Sequence, residues 1–162
     1  MRTFLLAAAF AVAGAPVAAQ TPNAPPAAGP HVILTPGAMK WGPAPPVLPA
    51  GAQIAVLDGD PGQAGPFTIR FKFPDGYKIA PHWHSMDENI TVVQGTFKAG
   101  MGETLTPTGL HDFPVGSFLK MPAKAPHFAA AKGVVIVQIH GTGPFDLTYV
   151  NPKDAPPKPS AP

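Results

Sequence analysis

His82, His84 and Glu88 stand at a spacing from which a chain can build a metal site. Residues two apart leave the same face of an extended strand, so the two imidazoles project together while Trp83 projects away. Glu88 follows four residues after His84, and Ser85, Met86 and Asp87 form a short polar turn between them. A strand, that turn and a returning strand bring the carboxylate beside the imidazoles. His127, after a segment marked by Gly116 and Pro122, is placed to close the set. Three neutral imidazoles and one carboxylate leave a divalent ion at net charge +1, with positions open for substrate, water or oxygen. One ion per chain is expected; copper, iron, manganese and zinc all accept such donors. The plainer reading is a His-x-His pair on an exposed strand that binds nothing, and the residues around the pair decide against it.

Those residues carry a resemblance. Gly76, five residues, His82-Trp83-His84, three residues, Glu88, six residues and Gly95 resemble the first motif of the cupin superfamily at every position. Gly116, Pro122 and His127 are similar to the second motif, with Lys124 standing where that family usually has glycine and Ala131 where it usually has asparagine. Neither departure removes a ligand. Lys124 falls where a tight turn favours glycine, whose backbone adopts conformations other residues avoid. The resemblance spans roughly residues 45–145 and implies a small jelly-roll barrel. Its ligand pocket lies inside, and alternate strand residues line it.

Other polar residues are weaker candidates. Gln138 and His140 share one strand face; if it is inward, they offer the pocket hydrogen-bonding groups or partners for the ligands. Solvation at a strand end is the alternative. His31 and His111 lie in turn-like segments. Met86, Met101 and Met121 suit core gaps better than ligation. Trp41, Tyr77 and Tyr149 could stack on a sugar or aromatic ring, whereas Trp83 is expected to pack outside or at a subunit contact. No Ser-His-Asp order is evident and the chain has no cysteine, so any catalysis falls to the metal.

The elements that must position the site read as strands. Phe67, Ile69, Phe71 and Phe73 alternate with Thr68, Arg70 and Lys72. Apolar runs over 53–57, 133–140 and 145–150 are bounded by glycine and proline turns. Gly95 is expected to turn a hairpin between 88–94 and 96–98, and Pro114 and Gly116 to break 113–121. Short, regularly spaced strands without a credible internal helix indicate an all-β barrel or sandwich.

The ends place this domain. Arg2, the apolar run from Phe4 to Val12 and the small residues Val17, Ala18 and Ala19 read as a secretory signal over 1–19. The run is too short to span a bilayer. A disordered proline- and alanine-rich linker over 20–30, a barrel over 31–150 and a disordered proline-rich tail over 151–162 complete the expected organisation. The mature chain is then periplasmic or secreted and takes its metal outside the cytoplasm, where intrinsic affinity governs competition. Net charge is +2 with 12% charged residues, and the lysines are scattered singly, so no nucleic-acid footprint is present.

Two function classes follow. The first is an exported metal-dependent oxidoreductase, of oxygenase or oxidase type, acting on a small organic or carbohydrate substrate. The resemblance implies the same, since many metal-bearing cupins are dioxygenases or oxidases. The second is a non-redox isomerase or lyase, or a small-molecule-binding or sensing protein. Cupins also commonly pair through an outer sheet face, so Trp83, Thr91 and Val93 are expected at a homodimer contact.

Overall fold

Alternation of apolar and polar residues becomes alternation of inside and outside in a computed structural model that describes residue 29 and residues 31–157. The expected signal segment, most of the linker and the last five residues lie outside the described residues. Among the described residues, nine strands form one antiparallel sheet: β1 (Gly42–Pro43), β2 (Gln53–Asp58), β3 (Gly65–Phe73), β4 (Lys78–Trp83), β5 (Glu88–Met101), β6 (His111–Phe113), β7 (Phe118–Met121), β8 (His127–Gly143) and β9 (Thr148–Tyr149). Three single 3-10 turns, Pro36–Ala38, Pro107–Gly109 and Pro152–Asp154, are the described helical pieces. None of the described helices is long and apolar enough to cross a membrane.

β8 organises the sheet. Its later half lies between β3 (Phe73↔Val135 to Gly65↔Gly143) and β5, and its first residues lie between β4 and β5. β5 also pairs with β6 and β7, so the sheet curls on itself into the small jelly-roll barrel that the strand pattern and motifs imply. Ile69, Phe71, Ile90, Val92, Val135 and Val137 fill its inner face and are 5% exposed or less. Burying each such side chain contributes about 1.5–3 kcal/mol, which for a chain without disulfides is the main source of stability.

Four local expectations are corrected. Gly95 does not turn a hairpin. β5 runs through it as a bulge, with its register against β8 shifting on both sides of Gln94. Gly95 has φ 73°, and a Cβ there would meet the Val134 carbonyl at 2.5 Å, so glycine is needed for a close approach as well as for its conformation. The bulge changes which positions face inward. Glu88, Ile90 and Val92 are buried before it, and Phe97 and Ala99 after it. Second, β8 begins at His127 rather than at 133, so one strand carries both His127 and the Gln138–His140 segment. The expected strand over 145–150 shortens to β9, and His111 lies in β6, exposed, rather than in a turn.

Candidate metal centre

β4 and β8 are hydrogen-bonded neighbours, and their register sets His82 directly opposite His127, with ring centroids 4.3 Å apart. A register shift between Ile79 and His82 turns the end of β4 so that His82 and His84 both face inward. Glu88 opens β5 on the returning strand. The turns are tied together from outside. Lys124 N–H donates to the His84 carbonyl (2.8 Å), Ala123 N–H donates to Asp87 Oδ1 (2.9 Å), and Lys120 pairs with Asp87 Oδ2 (2.7 Å).

His82, His84 and His127 are each 3% exposed and Glu88 5%. The ligating atoms of the three histidines lie within 4.8 Å of one another. Glu88 Oε2 is 3.4 Å from both His84 Nε2 and His127 Nε2. That is beyond an ordinary N–H···O distance. Donor atoms each about 2.1 Å from a common ion stand about 3.0–3.4 Å apart. The buried Nε2 atoms of His84 and His127 have no hydrogen-bond partner. Burying polar atoms without partners is costly, and a cation shared with Glu88 removes that cost.

The other ring nitrogens fix the tautomer. His82 Nδ1–H donates to the Ala80 carbonyl (2.8 Å), His127 Nδ1–H to the Ala125 carbonyl (3.0 Å), and His84 Nδ1–H to the Asp146 carbonyl. Each ring thereby turns the Nε2 lone pair inward, as a ligand requires. Burial, reinforced by the neighbouring His127, pushes His82 down to about 3 and keeps it neutral. For Glu88 burial acts against the charge, but the flanking His127 and His84 outweigh it and hold the carboxyl at about 2. His84 is also opposed by burial, yet Glu88 and Asp146 raise it. Surroundings that favour a proton on His84 Nε2 favour any cation there.

The cluster lines a cavity of about 310 Å³, whose remaining wall includes Phe71, Phe73, Ile90, Val137, Ile139 and Leu147. Apart from the four ligand candidates and Asp146, the described side chains lining it are apolar. Met121 contributes to that wall, whereas Met101 is exposed. Tyr149 and Tyr77 do not face the cavity as stacking platforms. Their hydroxyls donate to the Val47 (2.9 Å) and Pro49 (2.5 Å) carbonyls and pin the loop that carries Val47 and Leu48 over the cavity.

Gln138 and His140 are corrected by the structure. They lie on the outer face of β8: Arg70 Nε and Nη2 donate to Gln138 Oε1 at 3.1 and 3.0 Å, and His140 is exposed. Neither lines the cavity or contacts a ligand candidate. Trp41 is also outside, under the Lys72 ammonium at 4.4 Å, and His31 is exposed. Sequence reasoning missed Phe145 and Asp146. Phe145 stacks on His84 with ring centroids 4.6 Å apart, and Asp146 binds both His84 and Ser85. No periodicity or short motif links 146 to 84.

A model of the ChrR cupin-like domain matches residues 30–146. Among solved structures, a candidate acetylacetone dioxygenase from Methylibium petroleiphilum PM1 superposes with TM-score 0.60 at 20% identity, covering 82% of this chain and 89% of that one. The polyketide cyclase RemF from Streptomyces resistomycificus gives 0.57 at 14% identity, over 74% and 84%. KdgF from Halomonas sp. gives 0.53 at 21% identity, over 72% and 96%. At these identities the likeness is one of fold. A search of curated proteins gives no match.

Proposed function

This chain belongs to the ChrR cupin-like domain family, and from that premise we propose that it is an exported mononuclear metal protein acting as an oxidoreductase on a small, apolar organic molecule. His82, His84, Glu88 and His127 would hold one divalent ion, as the unpartnered Nε2 atoms, the inward lone pairs and the ionised carboxylate favour. When bound, the ion would supply Lewis acidity and, if redox-active, electron transfer. The chain's own contribution is to keep His82 neutral and Glu88 ionised, to turn the Nε2 lone pairs inward, and to keep water scarce around the open positions.

The observation that carries the redox reading is the cavity wall. A carbohydrate needs many hydrogen-bonding partners, and this wall offers Asp146 alone beyond the ligand candidates. Proton-transfer chemistry needs positioned acids and bases, of which the described wall beyond the ligand candidates offers Asp146 and no partner acid or base for it. Apolar substrates and molecular oxygen suit it. A non-redox isomerase or lyase, or a binding protein, is the second reading, and Asp146 as a lone base is the observation in its favour.

Metal analysis of protein recovered from the cell envelope, followed by oxygen uptake with a panel of small phenols and 1,3-diketones, tests the proposal. Iron, copper or manganese with substrate-dependent uptake supports it. Zinc without uptake across the panel favours the second reading. Export itself is read from intact mass, expected to begin at Gln20. Exposed Phe118, paired with Thr91 across β5 and β7, and exposed Val134 support pairing of two copies through the outer face, which light scattering would detect.

A further inference from the structure

We propose that Asp146 is a positioning residue for His84, fixing the ring from a segment remote in sequence; this rests on the metal-centre reading above. The three imidazoles are held in two different ways. His82 and His127 each donate Nδ1–H to the carbonyl two residues earlier in their own chain segment, Ala80 and Ala125. Their orientation is therefore set locally. His84 instead donates to the main-chain carbonyl of Asp146, 62 positions away.

The same residue grips the backbone beside His84. Asp146 Oδ1 accepts from Ser85 N–H (2.7 Å) and from Ser85 Oγ–H (2.9 Å). Main chain on the ring and carboxylate on the next residue form a two-point clamp. Phe145 completes it by stacking on the His84 ring at 18° between planes. Without the carboxylate, Ser85 N–H loses its partner and the 145–147 segment loses its tie to the turn after β4. The His84 ring would then be free to swing about its remaining contact. Asp146 also lies in the cavity wall with Phe145 and Leu147, so what orients His84 is itself part of the surface a cavity occupant touches.

The test uses cobalt(II) as probe on the full-length protein stripped of metal, in wild type, Asp146→Ala, Asp146→Asn, Ser85→Ala and His82→Ala. Changes to residues that orient ligands typically cost about 10–100-fold in metal affinity. Asp146→Ala is expected to weaken cobalt binding about tenfold or more and to alter its visible absorption bands. Asp146→Asn keeps the Oδ1 acceptor and is expected to restore both the bands and most of the affinity. A purely structural role would not separate these two variants. The proposal is overturned if Asp146→Ala binds with wild-type affinity and spectrum, or if Asp146→Asn is as weak as Asp146→Ala. Should Asp146→Ala fail to fold, Ser85→Ala carries the decision, since it removes one of the two carboxylate contacts. A weakened, spectrally altered site supports the proposal and an unchanged one overturns it. Wild type and His82→Ala binding cobalt equally would instead sink the metal-centre reading itself.

Discussion

Along β8, His127, Ala129, Ala131, Val135, Val137 and Ile139 are buried on the inner face, while Lys132 and His140 stand exposed and Gln138 half-exposed on the outer one. β3 repeats the division, with Ile69 and Phe71 inside and Arg70 and Lys72 outside. On the outer face polar side chains are exposed or pair with a neighbour, as Arg70 pairs with Gln138, and removing one costs little. Among the described residues, the buried imidazole and carboxylate side chains are gathered in one place. His82, His84, Glu88 and His127 sit together in the wall of an otherwise largely apolar cavity, where unpaired polar atoms and charge are expensive. Four such residues converging there make sense as a site retained for its chemistry and not for its stability.

The comparison breaks most sharply through metal content. His82→Ala or His127→Ala is expected to lower affinity for a divalent ion well beyond the roughly 10–100-fold typical of residues that merely orient ligands. Gln138→Ala and His140→Ala should leave one ion per chain bound. Titration of each variant, checked by elemental analysis, decides it. Metal loss on changing His140 would mean that the inner and outer faces are wrongly assigned.

Neighbouring residues of β3 sharpen the same contrast through packing. Ile69 is fully buried, and Ile69→Ala should cost about 2–5 kcal/mol in urea unfolding of the metal-free protein. Arg70→Ala removes two hydrogen bonds to Gln138 on the partly buried outer face and should cost about 1 kcal/mol. Equal losses would show that the outer face carries more of the stability than its contacts indicate.

The inner face should also make the metal-free protein sensitive to acid. His82 is held at about 3 chiefly by burial and by His127, against 6.5 unfolded. Between those values the unfolded chain binds a proton that the folded chain refuses. The contribution of His82 is therefore complete above about 6.5 and lost as pH falls toward 3. Glu88, lowered from 4.5 to about 2, adds a loss below 4.5. His84, whose pKa is raised, acts in the opposite sense: its contribution is present at low pH and is lost as pH rises through its folded value. With two groups against one, urea midpoints should fall from pH 7 to pH 4, and His82→Asn should flatten the slope. A midpoint that rises on acidification would mean that the His84–Glu88 attraction dominates the cluster.

Much of this site is legible in the amino-acid sequence, because its parts obey local rules. His-x-His on a strand and a carboxylate after a short turn are fixed by period and spacing, and the buried quartet matches that reading. The positions of Gln138 and His140 are also legible in principle. His127 and Gln138 differ by an odd number of residues, which places them on opposite faces of one regular strand. A strand taken to start at 133 conceals the parity, because Gly133 looks like a boundary and is in fact passed through at φ 74°. Gly95 is ambiguous in a similar way, since a turn and a bulge both call for positive φ. Asp146 cannot be found by such rules. Its link to His84 spans 62 residues and runs partly through a main-chain carbonyl, which every residue possesses.

The smallest expected effect falls on a residue that belongs to both faces. Lys124 has its side chain in solvent, while its N–H supports the His84 carbonyl at 2.8 Å. It occupies φ 61°, alone among the described non-glycine residues in having positive φ, at the position where the cupin motif usually has glycine. A left-handed conformation costs an L-residue roughly 1–2 kcal/mol, and glycine escapes that cost but gives up part of the gain through its freer unfolded chain. Lys124→Gly should therefore stabilise the protein by about 0.5–1 kcal/mol, a rise of a few degrees in melting temperature. Metal affinity should be unchanged, because the supporting N–H remains. Lys124→Val, β-branched at the same φ, should act in the opposite direction. If glycine destabilises instead, the lysine side chain contributes more than the backbone loses in the turn, and the conformational cost at Lys124 is offset within the same residue.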